Sequence, residues 1–180
     1  MEELSLHILD IVENSIAAGA GHVEIRIRED RQEDLLRIDI VDDGRGMNGA
    51  TLAKAADPFF TTRTTRRVGL GLSIFEQAAR AAGGDFMIEA SAGAGTKVTG
   101  TFRLSHIDRQ PLGDMRGTLL SLIVGNPQVE FSYIHQADGR EVSFTSREVK
   151  AQLADIPINS PEGIAAVRKS LEGMRQQALR

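Results

Sequence analysis

Apolar residues recur at helical spacing from the start of the chain. Leu4, Ile8, Ile11, Val12 and Ile16 fall on one face, which predicts an amphipathic helix over residues 2 to about 18. Gly19 and Gly21 follow and end it. The period then changes to two: Val23, Ile25 and Ile27 alternate with polar residues, as do Leu36, Ile38 and Ile40, predicting two strands around a charged turn. The second strand runs into Asp42-Asp43-Gly44-Arg45-Gly46, which cannot continue it. A short helix is expected over Thr51 to Ala56, then a Thr- and Arg-rich loop from Asp57 to Val68. Leu72, Phe75, Ala78, Ala79 and Ala82 mark a second amphipathic helix, closed by Gly83-Gly84. Two alternating segments, Phe86 to Ala90 and Val98 to Leu104, flank the small-residue turn Ala92-Gly93-Ala94-Gly95.

Helix, two strands, helices and two strands, in that order, predict an α+β domain over residues 1–105, a layered sheet with helices on one face. Residues 106–112 read as a linker. Beyond them the pattern predicts an apolar helix near Leu119 to Val124 and strands around Val129–Ile134 and Val142–Phe144, joined at Ala137-Asp138-Gly139. Two more helices are expected, the last entered through Ser160 as cap and Pro161 at its first position. Residues 113–180 thus read as a small α/β appendix, with docking or dimer contact as its expected use.

Composition narrows the function classes. The 180 residues contain no cysteine, which excludes a disulfide framework, a thiolate metal site and a cysteine nucleophile. The formal net charge is −4, and the acid excess lies in residues 1–105, with 16 acidic against 12 basic residues; residues 106–180 balance at 9 against 9. That balance argues against a sequence-independent grip on nucleic acid. No stretch approaches the roughly 20 apolar residues of a membrane span, and the acidic amphipathic start is unlike a signal peptide. A cytoplasmic protein is expected.

Four local features carry candidate chemistry, each of them ambiguous alone. Asp10 and Asn14 lie four residues apart and share a helix face. An amide oxygen there can take one place in the shell of Mg²⁺, and a carboxylate one turn earlier can orient or deprotonate a water; an exposed polar stripe is the alternative. Asp42, at the mouth of a buried strand, can accept from an exocyclic amino group such as adenine's, with Gly46 letting backbone approach a flat base; Asp-Gly is also ordinary turn chemistry. Gly69-Leu70-Gly71-Leu72-Ser73 opens a helix, where bare N–H groups favour anions. Gly95-Thr96 enters the last strand of the domain, which taken alone reads as a hairpin turn.

As an ordered set these features resemble the GHKL ATPase superfamily of histidine kinases, DNA gyrase, the heat-shock chaperone of that class, and MutL. Residues 10–14, within LDIVENSIAAGA, resemble its N box and look especially like MutL, whereas DDGRGM at 42–47 resembles the first glycine box. ADPFFTTR (56–63) and VGLGLSI (68–74) resemble the phosphate-covering lid and second glycine box of histidine kinases, and GTKVTGTF (95–102) the closing strand. The resemblance implies a two-layer α/β sandwich, the Bergerat fold, holding ATP and Mg²⁺ between helices and sheet. It implies Asp42 on the adenine amino group with Thr96 assisting through water, Gly44, Gly46 and Met47 about the base, and Asn14 on Mg²⁺. It further implies Gly69, Leu70, Gly71 and Leu72 at the phosphates, Thr62 and Arg63 in the lid with Arg66 and Arg67 near, and Asp10 as the catalytic carboxylate.

Three positions depart from the family pattern. Asp10 stands where gyrase and MutL carry glutamate, Asp43 where many relatives carry asparagine, and Arg67 where many kinases carry glycine. The domain pattern begins at residue 1, so an acceptor histidine on a preceding helical hairpin is not expected. Of His7, His22, His106 and His135, His7 is expected at the surface or in a cap, and His106 in the joint. The expected function is a stand-alone module that transfers phosphate from ATP to a partner protein, with a conformational ATPase switch or a non-catalytic ATP sensor as alternatives and a second copy as a further expected partner.

Overall fold

Hairpins and longer returns bring the alternating segments side by side. A computed structural model describes residues 3–52 and 70–178. In chain order the elements are α1 (Leu4–Ala17), β1 (His22–Asp30), β2 (Leu35–Asp42), α2 (Gly49–Leu52), α3 (Leu70–Ala81), β3 (Phe86–Ala90), β4 (Thr96–Arg103), α4 (Met115–Gly125), β5 (Glu130–Ala137), β6 (Arg140–Thr145), α5 (Ser146–Leu153) and α6 (Pro161–Ala178). The six-stranded sheet has the order β3-β4-β2-β1-β5-β6. The short helix expected over Thr51 to Ala56 is described as α2 only to Leu52, and the remainder lies outside the described residues.

The two-residue period decides which face is covered. Ile25 pairs with Ile40 and Ile27 with Ile38, so these side chains share the buried face, while Arg26 and Arg28 stand exposed on the other. The outer face is polar: Arg37 binds Asp39 at 2.7 Å, and Thr99 Oγ1 donates to Asp39 at 2.7 Å. Opposing burial with these hydrogen bonds, the bonds win, and the Asp39 carboxyl is held below the usual carboxylate range. On the inner face α1 and α3 pack against each other and against the sheet. Phe75 of α3 is fully buried, with Phe102 at 5.7 Å and Phe86 edge-on at 6.1 Å between ring centroids. Burying one such ring stabilises the fold by about 2–3 kcal/mol. Room for it comes from Gly100 of β4, where an added Cβ would lie 2.5 Å from Phe75 Cζ.

The last third of the chain continues the same sheet. β5 lies parallel to β1, with Tyr133 opposite Ile25, and β6 lies antiparallel to β5, with Phe144 opposite Tyr133. Asp138 and Gly139 both have positive φ, 51° and 79°, as a two-residue hairpin connection requires. Ser160 Oγ accepts from the Gly163 N–H at 3.1 Å and caps α6, as expected.

The joint is built into the start of α1. A helix leaves its first N–H groups without partners. Here Leu4 N–H donates to the Pro111 carbonyl and Ser5 N–H to the Leu112 carbonyl, each at 2.9 Å. Three residues on, His7 Nε2 lies 2.7 Å from Gln110 Oε1. His7 is expected at the surface or in a cap; it is instead 5% exposed, because its place in the helix turns it towards Phe75, 6.1 Å away between ring centroids.

Candidate functional site

The C-terminal end of α1 sets one end of the site. Gly19, at φ 79°, stops the helix: its N–H donates to Ile16 O at 2.9 Å and that of Ala20 to Ser15 O at 3.1 Å. The Ala18 carbonyl, freed by this stop, accepts from Arg45 N–H at 3.0 Å and ties the helix to the loop after β2. The contact is close. A Cβ on Gly44 would lie 3.2 Å from both Ala18 Cβ and Ala18 O.

Asp42, the last residue of β2, is buried at 8% exposure and held by three donors. Its Oδ1 accepts from Gly44 N–H at 2.9 Å and from Thr96 N–H at 3.2 Å; its Oδ2 accepts from the Ser15 hydroxyl at 2.6 Å. Asp42 and Thr96 are register partners across β2 and β4, which brings the main chain of Thr96 to the carboxylate. Thr96 is expected to assist at the base through water; its described contact with Asp42 is its own N–H. Ser15 was not foreseen. Its signal was available: it continues the buried phase of Leu4, Ile8, Ile11 and Val12, where a hydroxyl needs a partner.

Gly46 and Gly95 are fixed by the backbone around this carboxylate. Gly46, at φ 63°, faces the Ser91 carbonyl oxygen, which a Cβ would overlap; Gly95, at φ 82°, faces the Asp42 carbonyl oxygen in the same way. The turn expected at 92–95 is thus packed onto the loop of the first glycine box, with Gly93 N–H donating to Arg45 O at 2.7 Å. Met47 is half-buried between β2 and α2. Asp43 is exposed and turned away: its Oδ1 accepts from Gly21 N–H at 2.7 Å and His22 N–H at 2.8 Å. The His22 N–H above all holds its carboxyl below the usual range.

The other end of the site lies earlier on α1. Asp10 and Asn14, both half-buried, face the first turn of α3: a Cβ on Gly71 would lie 3.2 Å from Asp10 Cβ and 3.8 Å from Asn14 Nδ2. Leu70 is the first residue of α3, and Leu72 packs against the core. Thr62, Arg63, Arg66, Arg67 and Gly69 lie outside the described residues. One helix therefore carries Asp10 and Asn14 against the α3 start and Ser15 against Asp42. Asp10 to Ser15 spans about 7.5 Å of helix rise.

Among the described residues no group of three or more His, Asp or Glu side chains could enclose a metal ion. The Asp10–Asn14 pair fits a cation that takes one or two protein oxygens and leaves its other places to phosphates and water, as Mg²⁺ does. Gly71, having no side chain, lets the first turn of α3 come close to the pair, and no described helix is long and apolar enough to cross a membrane.

Among curated proteins, the chain is 41% identical over 58 residues to the sensor protein kinase FleS of Pseudomonas aeruginosa, a match covering 32% of this chain and 14% of that protein. It is 33% identical over 102 residues to the sensor histidine kinase WalK of Bacillus subtilis, covering 52% and 17%. The chain thus matches less than a fifth of each relative's length. The crystal structure of the N-terminal domain of a DNA repair protein superposes with a TM-score of 0.58 at 15% identity, covering 95% of this chain and 57% of that one, a likeness of fold. The sequence model of the histidine kinase-, DNA gyrase B-, and HSP90-like ATPase family matches residues 2–106, more than half of the chain. With its α+β architecture and this match, the chain belongs to the histidine kinase-, DNA gyrase B-, and HSP90-like ATPase family.

Proposed function

We propose that the protein is an Mg-ATP-binding regulatory module of the cytoplasm that transfers the γ-phosphoryl group of ATP to a partner protein. The observation that carries this reading is the path of α1, which holds Asp10 and Asn14 at the α3 start and Ser15 on the Asp42 carboxylate. In this reading Asp42 accepts from the adenine amino group, and the Thr96 and Gly44 N–H groups keep its carboxylate aimed. The first N–H groups of α3 face the phosphates, where a helix start favours negative charge. Asn14 holds Mg²⁺, and bound Mg²⁺ would neutralise charge on the phosphate oxygens. Asp10 orients the acceptor and takes its proton. Being one methylene shorter than glutamate, it reaches less far towards a water, which favours transfer over hydrolysis. Arg63 of the lid would add positive charge at the γ-phosphate.

Likeness to two sensor kinases supports the kinase reading. A conformational ATPase switch is the second reading, favoured by the hydrogen bonds that tie residues 110–112 to the start of α1. Incubating the pure protein with γ-labelled ATP and Mg²⁺, alone and with cell extract, separates the two. Transfer predicts a labelled protein in the extract and little free phosphate. Released phosphate without a labelled protein supports the switch, and neither product contradicts both.

A further inference from the structure

We infer that His22 and Ser132 form a positioning contact through which β5, in the last third of the chain, steadies the loop after β2 at the Asp42 end of the site. The inference rests on the nucleotide reading above and adds two residues that act on the site through Asp43.

The two ladders of β1 begin at different places. Pairing with β2 starts at Val23, opposite Asp42, so that ladder stops one residue short of His22 and Asp43. Pairing with β5 starts one residue earlier, at His22 opposite Glu130. The Glu130 N–H also donates to the Gly21 carbonyl at 2.9 Å. β5 thus supports the end of β1 where β2 has left it.

Side chains complete the link. His22 Nε2 lies 2.9 Å from Ser132 Oγ, and both residues are half-buried. A hydroxyl can donate or accept, so the pair forms with either tautomer of the ring. The main chain of the same His22 holds Asp43: its N–H donates to Asp43 Oδ1 at 2.8 Å, and its carbonyl accepts from Asp43 N–H at 3.3 Å. Gly21 N–H adds a bond to the same Oδ1 at 2.7 Å. Asp43 stands between Asp42 and Gly44, and Gly44 N–H donates to Asp42 Oδ1 at 2.9 Å. Ring, main chain and carboxylate therefore form one path from β5 to the loop that aims Asp42. The start of the path is anchored in turn. The Glu130 carboxylate accepts from Lys150 Nζ at 2.8 Å and from the Ser146 hydroxyl at 3.1 Å, which ties it to α5.

A loop already held in its bound geometry loses less affinity to ordering than a loose one. Without the Ser132 hydroxyl the His22 ring is released, and the main chain that holds Asp43 is held less well itself.

The test measures Mg-ATP binding by calorimetry, with the melting temperature alongside, for the intact parent, Ser132→Ala, Asp43→Ala, the double variant, His22→Ala and His22→Gln. Ser132 is a half-buried strand residue with a small side chain, so Ser132→Ala is expected to fold. It should bind ATP about three- to fivefold more weakly, the worth of one neutral hydrogen bond. Adding Ser132→Ala to Asp43→Ala should change little, because both lie on one path. His22→Ala should lose at least as much as Ser132→Ala, and His22→Gln, whose amide can bond a hydroxyl, should recover most of it. Unchanged affinity in Ser132→Ala, losses that add in the double variant, or a His22→Gln no better than His22→Ala overturns the inference. Asp42→Asn separates the two levels. If it weakens ATP binding and Ser132→Ala does not, only the positioning contact fails; if the parent binds no ATP, the nucleotide reading fails with it.

Discussion

At the scale of single residues, Asp42 is a buried carboxylate whose hydrogen-bond partners come from α1, the loop after β2 and the start of β4. Replacing it with asparagine swaps one acceptor oxygen for a donor and removes the charge. Asp42→Asn should weaken ATP binding by about 1–3 kcal/mol, read by calorimetry; unchanged affinity would reject its place at the base. Gly71 makes the matching argument at the other end. Gly71→Ala puts a methyl 3.2 Å from Asp10 Cβ and 3.8 Å from Asn14 Nδ2. Alanine favours the helix by up to about 1 kcal/mol, so the melting temperature should hold while Mg²⁺-dependent ATP affinity drops several-fold. A parallel loss of both would mean that Gly71 serves packing alone.

At the scale of elements, periodicity carried most of the information. The alternation in β1 and β2 and the helical phase of α1 and α3 were legible because burial on one face repeats with the element's own period. The burial of Ser15 followed from the same phase, but its partner, 27 residues away, did not. Gly46 and Gly95 were legible as turn glycines, and Gly46 as a close approach of backbone to a base; their contacts with the Ser91 and Asp42 carbonyls depend on how two loops pack. Gly100 is a similar case, and it yields a stability prediction. Gly100→Ala should cost about 1–3 kcal/mol in denaturant melts, because the Phe75 ring occupies the space of the new methyl. No loss would show that the ring can move.

Asp43 gives a pH prediction at the same scale. Its carboxyl, lowered from 3.8 mainly by the His22 N–H, joins the start of β1 to the loop after β2. A lowered folded-state value contributes stability that is fully present above the unfolded value and lost as pH falls through the folded one. The melting temperature should therefore fall below about pH 4. Asp43→Asn keeps an Oδ1 acceptor for both N–H groups and should show a shallower acid limb. A limb that superimposes on the parent's would contradict this role.

At the scale of the molecule, the last third of the chain was legible as elements and not as a partner of β1. Strand pairing across a hundred residues leaves no mark in local pattern, and a parallel neighbour least of all, since no hairpin announces it. The consequence is testable. Cutting the chain after residue 110 removes β5 and β6, opens β1 as an edge, and takes away the Pro111 and Leu112 carbonyls that satisfy the first turn of α1. The intact protein should unfold in one transition, and the shortened chain should lose cooperative unfolding in calorimetric scans. A residue 1–110 fragment with the parent's melting temperature would show that the first domain stands alone.

The account turns on Asn14 and Asp42 serving opposite ends of one nucleotide. A crystal structure of the intact protein with Mg²⁺ and a non-hydrolysable ATP analogue measures this directly. The predicted result is the adenine amino group in hydrogen-bond contact with Asp42 and the metal on the side-chain oxygen of Asn14. A nucleotide bound elsewhere, or one that meets only one of the two side chains, would contradict it.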